Sequence, residues 1–135
     1  MEGTLNSVMV VDDNRLDRFI VEKLIEKAQF AASTVPMEMG RDALNYISER
    51  INNNEPLPQV IFLDINMPGM DGFEFLEEFN NFSDEVKNSC SIVMLSSSLN
   101  EDDHKRAMSF SSVKMYCNKP LNVDKLEELK KNMAS

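Results

Sequence analysis

The sequence predicts an α/β fold, a doubly wound five-stranded parallel sheet in the order 2-1-3-4-5 with helices on both faces. Short apolar runs alternate with segments of helical period five times along the 135 residues, as five tandem βα units require. The runs are apolar throughout instead of alternating with polar residues, which suits strands covered on both faces. No repeat, low-complexity tract or Pro/Gly-rich linker interrupts the pattern. Residues 1–135 are therefore expected to form one domain, with its core over about 5–133 and no output domain.

The first strand is Ser7-Val8-Met9-Val10-Val11, ending at Asp12-Asp13. From Arg15 onward, Leu16, Phe19, Ile20, Leu24 and Ala28 recur at spacings of three and four, predicting a helix with this face toward the core. Phe30 to Val35 is a weaker second strand. Ala43, Leu44, Ile47 and Ile51 lie on a second helix, which the polar stretch Asn52 to Pro56 ends. Val60-Ile61-Phe62-Leu63, β-branched and aromatic, forms the third strand and stops at Asp64. The turn-forming segment Met67 to Gly72 follows. In it Asp71 and Glu74 have the spacing of a capping box for a third helix, with Phe73, Leu76 and Phe79 inward. Ser91 to Leu95 is the fourth strand, Ser96-Ser97-Ser98 its exit, and Asn100 to Phe110 a polar fourth helix. Met115-Tyr116-Cys117 is a short fifth strand ended by Lys119-Pro120. Asn122 is placed to cap the fifth helix, whose Val123, Leu126, Leu129 and Met133 face inward.

Asp and Glu number 23 against 14 Lys and Arg, a formal charge of −9. Such a surface repels DNA, RNA and anionic lipid, so neither nucleic acid nor membrane is an expected partner. No apolar run approaches the roughly 20 residues of a membrane span, and the start MEGTLNS lacks the features of a signal peptide. A cytoplasmic location is expected. Cys90 and Cys117 match no metal-ligand spacing and are expected to be reduced. The one histidine, His104, lies in a hydrophilic stretch and reads as an exposed helical residue, which excludes a His-rich metal site. Most of the ten methionines fall on apolar faces or strands and read as core filling.

The chemistry-bearing residues stand where strands end: Asp12 and Asp13 after the first, Asp64 after the third, Ser96 after the fourth, Lys119 after the fifth. In an open parallel sheet the ligand site lies beyond the carboxyl ends of the strands, where strand order reverses. With the order 2-1-3-4-5 that point falls between strands one and three and gathers the three carboxylates. Converging like charges disfavour ionisation, and a divalent cation resolves the conflict. Oxygen-only ligands select a hard ion, and so few protein carboxylates suit Mg²⁺, with Mn²⁺ as the alternative, better than a calcium cage. Lys119 is placed to meet an anion beside the metal, and Ser96 to donate a hydroxyl hydrogen bond to it. Metal, amine and hydroxyl around a carboxylate make a phosphoryl-transfer site with a carboxylate as nucleophile.

The fragments Val-Val-Asp12-Asp13-Asn, Leu-Asp64-Ile-Asn-Met-Pro-Gly-Met-Asp-Gly, the Ser96 strand exit and Tyr116-Cys-Asn-Lys119-Pro120 together resemble the receiver domains of two-component response regulators. The match is to the stand-alone, CheY-like type, over roughly Leu5 to Met133. The resemblance implies that Asp64 accepts a phosphoryl group from a histidine kinase or histidine phosphotransfer protein. It implies that Asp13 and Asp64 bind Mg²⁺ through carboxylate oxygens, Asn66 through its backbone carbonyl and Asp12 mainly through water. Lys119 would pair with the phosphoryl oxygens, its bond to Pro120 being cis. Ser96 would shift toward the phosphate and Tyr116 would swing inward, although Tyr116 reads equally well as a structural residue. The switch surface would be the fourth helix, fifth strand and fifth helix, read by an unknown downstream protein. The chain would be a monomer or form a weak phosphorylation-dependent dimer. It would act as a signalling domain catalysing only its own phosphorylation and dephosphorylation, not as an enzyme with a turnover substrate.

The sequence departs from the family pattern in three places. Ser96 stands where Thr is more usual. Ser111-Ser112-Val113 occupies the turn before the fifth strand, which usually carries Gly. Asn66 and Ser98, both neutral and fairly small, fill the variable positions beside the phosphate.

Three rival functions meet the same residues. A calcium loop opening at Asp64 would place Pro68 and Phe75 where ligands are needed. A flavodoxin-type carrier needs a Gly/Ser/Thr phosphate cradle where this chain has Asp12-Asp13-Asn14. A phosphorylation-independent receiver-fold scaffold is opposed by the retention of Asp12, Asp13, Asp64, Ser96 and Lys119.

Overall fold

The computed structural model describes residues 4–97 and 100–134. Its elements run β1 (Leu5–Val11), α1 (Arg15–Lys27), β2 (Ala31–Met37), α2 (Gly40–Asn52), β3 (Val60–Asp64), α3 (Gly72–Phe79), α4 (Asp84–Ser89), β4 (Ser91–Ser96), α5 (Glu101–Met108), β5 (Val113–Asn118) and α6 (Val123–Ala134). The five strands are parallel in the order β2-β1-β3-β4-β5, as predicted.

Both faces of the sheet are buried, and alternate residues along each strand serve opposite layers. Met9, Val11, Ile61, Leu63, Ile92 and Met94 join Ala43, Leu44 and Ile47 of α2 and Phe75, Leu76 and Phe79 of α3 in one layer. Val8, Val10, Val60, Phe62, Val93 and Leu95 join Val21 and Ile25 of α1 and Leu126 and Leu129 of α6 in the other. This division explains why the strands show no polar alternation. The edge strand β2 carries Pro36, which lacks a ladder donor and is tolerated at an edge.

Two expectations need correction. The face of α1 assigned to the core is only partly inside: Leu24 and Ala28 pack against the core beside the buried Val21 and Ile25, but Leu16, Phe19 and Ile20 are 65%, 53% and 45% exposed. The helix carries apolar residues on more than one face, and its rotation is set by the sheet beneath Val21 and Ile25. The structure also has a sixth helix, α4, one short element between α3 and β4. Ser83 caps it by accepting a hydrogen bond from the Val86 N–H, and six residues are too few for a helical period to show.

Helix ends set the loops near the site. α1 and α2 each finish with a non-glycine residue in the left-handed region, Gln29 at φ 52° and Asn54 at φ 55°. The Phe30 N–H then reaches the Ile25 carbonyl at 3.0 Å and the Glu55 N–H the Arg50 carbonyl at 2.8 Å, both Schellman-type closures. The expected Asp71–Glu74 capping box starts α3. Gly72 there is a requirement of space, since a Cβ would lie 2.9 Å from the Asp64 carbonyl oxygen and 2.9 Å from the Ile65 Cα. Before β5, none of Ser111, Ser112 and Val113 takes a positive φ, and Ser112 anchors the turn. Its carbonyl accepts from the Ile92 N–H at 2.8 Å, next to a register shift at Ile92/Val93.

Candidate functional site

Strand order puts the acidic residues side by side. Val11 registers with Leu63 across the β1–β3 pair, so Asp12, which follows Val11, stands next to Asp64, the last residue of β3. Asp12, Asp13 and Asp64 each present a carboxylate oxygen within 4.8 Å of the others. Asp12 and Asp64 are buried and Asp13 is half-buried.

Asp12 is held at both oxygens, Oδ1 accepting from the Asn14 N–H at 2.9 Å and Oδ2 from Lys119 at 3.0 Å. Arg18 donates to its backbone carbonyl at 2.8 Å. The turn therefore has a dense local frame, completed by Asn14, which caps α1 by accepting from the Asp17 N–H.

Lys119 leaves β5 with its N–H donating to the Ser96 carbonyl at 2.7 Å, and its bond to Pro120 is cis. Its Nζ lies 3.0 Å from Asp12 Oδ2, 3.2 Å from Asp64 Oδ1 and 2.9 Å from Asp17 Oδ2. One ammonium thus serves three carboxylates, with Asp13 adding a further negative charge nearby. Burial pushes the Asp64 carboxyl up to about 6; Asp12 adds to the rise and Lys119 opposes it. Burial works to lower the Lys119 pKa, but hydrogen bonds to Asp17 and Asp12, with the charge of Asp64, outweigh it and hold the ammonium above its ordinary value. A carboxyl driven toward neutrality among other carboxylates marks a site short of positive charge. A hard divalent cation fits both that deficit and the all-oxygen donor set.

The other expected residues surround this centre. Ser96 is fully buried at the end of β4, one residue beyond Leu95, the partner of Asp64. Asn66 is exposed, two residues past Asp64. Ser98 lies outside the described residues. Tyr116 is partly buried against the core. Its ring stacks on His104 of α5, with centroids 4.8 Å apart and planes 9° from parallel. The Tyr116 hydroxyl is buried without a hydrogen-bond partner among the described residues. His104 is exposed, as expected, but the stack on Tyr116 was not legible in the sequence.

Sequence reasoning also missed Asp17. An acid in a helix's first turn reads as a complement to the helix dipole, and nothing in the chain links it to a lysine 102 residues away. Beside it, Ile20, Pro120 and Leu121 line a small recess of about 60 Å³ that reaches Lys119. Of the exposed apolar residues of α1, Ile20 lines this recess together with Asp17 and Lys119. A larger groove of about 700 Å³ between α1 and β2 contains none of the acidic-centre residues.

No helix among the described residues is long and apolar enough to cross a membrane. Residues 8–131 match the family model described as the response regulator receiver domain. The two-component response regulator ARR17 of Arabidopsis thaliana is 32% identical over 139 residues, covering 96% of this chain and 85% of that protein. A two-component response regulator from Cytophaga hutchinsonii superposes with a TM-score of 0.90 at 28% identity, over 97% of this chain and 98% of that one. The Mn²⁺-bound form of response regulator Rcp1 superposes with a TM-score of 0.72 at 25% identity, over 96% of this chain and 92% of that one. In sequence the chain spans 65% of the length of Rcp1 from Synechocystis sp..

Proposed function

This chain belongs to the response regulator receiver domain family, and from that premise we propose that Asp64 is its phosphoacceptor. Receiver domains take phosphoryl groups from histidine kinases or phosphotransfer proteins and bind Mg²⁺ or Mn²⁺ at an acidic pocket. The observation that carries the assignment is the position of Asp64. It is a buried carboxylate at a strand end, 3.2 Å from the Lys119 ammonium and within 4.8 Å of the carboxylates of Asp12 and Asp13.

Asp13 and Asp64 would hold Mg²⁺ or Mn²⁺ directly, with the Asn66 backbone carbonyl, and Asp12 would act through water because both its oxygens are already engaged. When bound, the ion neutralises charge on the transferring phosphoryl oxygens and on Asp64. The Asp64 oxygen attacks phosphorus and forms a P–O bond as the donor's P–N bond breaks. The imidazole nitrogen leaves with the electron pair and is reprotonated from solvent. Lys119 then exchanges its contact with Asp64 for a phosphoryl oxygen, and the Ser96 hydroxyl donates to another.

The new dianion biases the packing of α5, β5 and α6, with Tyr116 and the His104 ring against it as the moving part. That surface would carry the signal to a downstream protein. The donor protein would approach over the exposed Leu16, Phe19 and Ile20, of which Ile20 lines the recess that reaches Lys119.

Incubation with Mg²⁺ and a small phosphodonor, followed by intact-mass analysis, tests the reading. One phosphoryl group on the wild type and none on Asp64→Asn is expected. An unlabelled wild type, or equal labelling of the variant, overturns it.

A further inference from the structure

We propose that Asp17 is a positioning residue that competes with the phosphoryl group for Lys119 and so limits how firmly the phosphorylated site is held. This rests on the reading of Asp64 as phosphoacceptor and adds a residue to it. Lys119 has three ammonium protons, and its Nζ lies 2.9 Å from Asp17, 3.0 Å from Asp12 and 3.2 Å from Asp64. Two of these donors are hydrogen-bonded, to Asp12 and to Asp17, so the ammonium moves toward a phosphoryl oxygen on Asp64 only against those two contacts.

The three acceptors are not equivalent. Asp12 and Asp64 are buried and stand at strand ends. Asp17 is the outer one, its side chain 36% exposed, and it sits on the first turn of α1, where the Asn14 cap fixes its backbone. It holds the ammonium by the shortest of the three contacts. It also adds a negative charge that a phosphoryl dianion must approach. The metal-binding trio does not include Asp17, so the effect runs through Lys119.

Beryllofluoride with Mg²⁺, a non-covalent stand-in for the phosphoryl group, is the probe. Its affinity is measured for wild type, Asp17→Asn and Asp17→Ser, each alone and combined with Lys119→Ala. Removing the carboxylate is expected to tighten binding about three- to tenfold, the size of one partly solvated charge-assisted contact. In the Lys119→Ala background the gain is expected to vanish. In metal-free protein, the Lys119 ¹⁵Nζ resonance is expected to shift in Asp17→Asn and Asp17→Ser. Weaker or unchanged binding, or a gain that persists without Lys119, overturns the proposal. A wild type that binds no beryllofluoride and takes no phosphoryl group defeats the phosphoacceptor reading itself. Normal labelling of Asp64 with no Asp17 effect defeats only the inference.

Discussion

Lys119 reaches Asp64 across the carboxyl rim of the sheet, its Nζ 3.2 Å from Oδ1, from a strand separated from β3 by β4. This contact closes the site from the side opposite Asp12 and Asp13. It also supplies a positive charge where several carboxylates converge.

Lys119→Ala is therefore expected to leave Asp64 able to accept a phosphoryl group while most of the response at α5 is lost. NMR shifts on phosphorylation read this directly, and a full wild-type response in the variant would remove Lys119 from the switch. The same variant leaves Asp12 and Asp64 without their shared counter-ion. Its unfolding free energy without metal should fall by about 2 kcal/mol, with partial recovery in Mg²⁺, both measured by urea denaturation.

The raised Asp64 pKa makes stability depend on pH with a definite sign. The folded-state value, about 6, lies above the ordinary 3.8, so the folded chain keeps a proton that the unfolded chain releases in between. The resulting stabilisation is complete below about pH 4 and is lost as pH rises through about 6. Without divalent ions, Asp64→Asn should exceed wild type in stability at pH 7 by about 1–2 kcal/mol, allowing for residual solvent screening. The gap should close by about pH 4. A difference that does not change with pH would show that the Asp64 charge is not its source.

Gly72→Ala forces a methyl group to within 2.9 Å of the Asp64 carbonyl oxygen and the Ile65 Cα. Backbone cannot yield as a flexible side chain can, so a loss of about 2–3 kcal/mol is expected. Because the displaced backbone belongs to Asp64, Mg²⁺ affinity should fall as well. Calorimetric unfolding and metal titration check the two effects, and wild-type values in both would contradict the packing argument.

Phe19→Glu should slow phosphoryl transfer from a protein donor by about tenfold, the loss of one exposed apolar anchor, and leave labelling by a small phosphodonor unchanged. Slowing with both donors would place the damage inside the site instead of on the docking face.

Tyr116→Phe removes a buried hydroxyl that has no hydrogen-bond partner among the described residues. The variant should match or exceed wild-type stability by up to about 1 kcal/mol, measured as a thermal midpoint. A clear loss would mean that the hydroxyl is satisfied in solution.

The capping box at Asp71–Glu74 and the Asn122 cap, which accepts from the Lys125 N–H at 2.9 Å, were legible because their partners lie three residues apart. The same holds for the strands, whose burial on both faces is written as unbroken apolar runs. The face of α1 was not legible. Leu16, Phe19 and Ile20 satisfy a helical period as well as Val21 and Ile25 do, and only contact with the sheet distinguishes them. The left-handed closure at Gln29 carried no signal because Gln is not a residue that favours that region, whereas Asn54 lies in the polar stretch that marked the end of α2.

The sequence by itself determined the βα alternation and placed Asp12, Asp13, Asp64 and Lys119 at strand ends, since local periodicity and strand-end position are properties of neighbouring residues, whereas the strand order, a long-range property, was expected through the family resemblance. Only the tertiary structure decided that Asp17 shares Lys119, that His104 lies on Tyr116, and which side of α1 meets solvent. These depend on how elements far apart in the chain are rotated against one another, and short-range patterns do not carry that information.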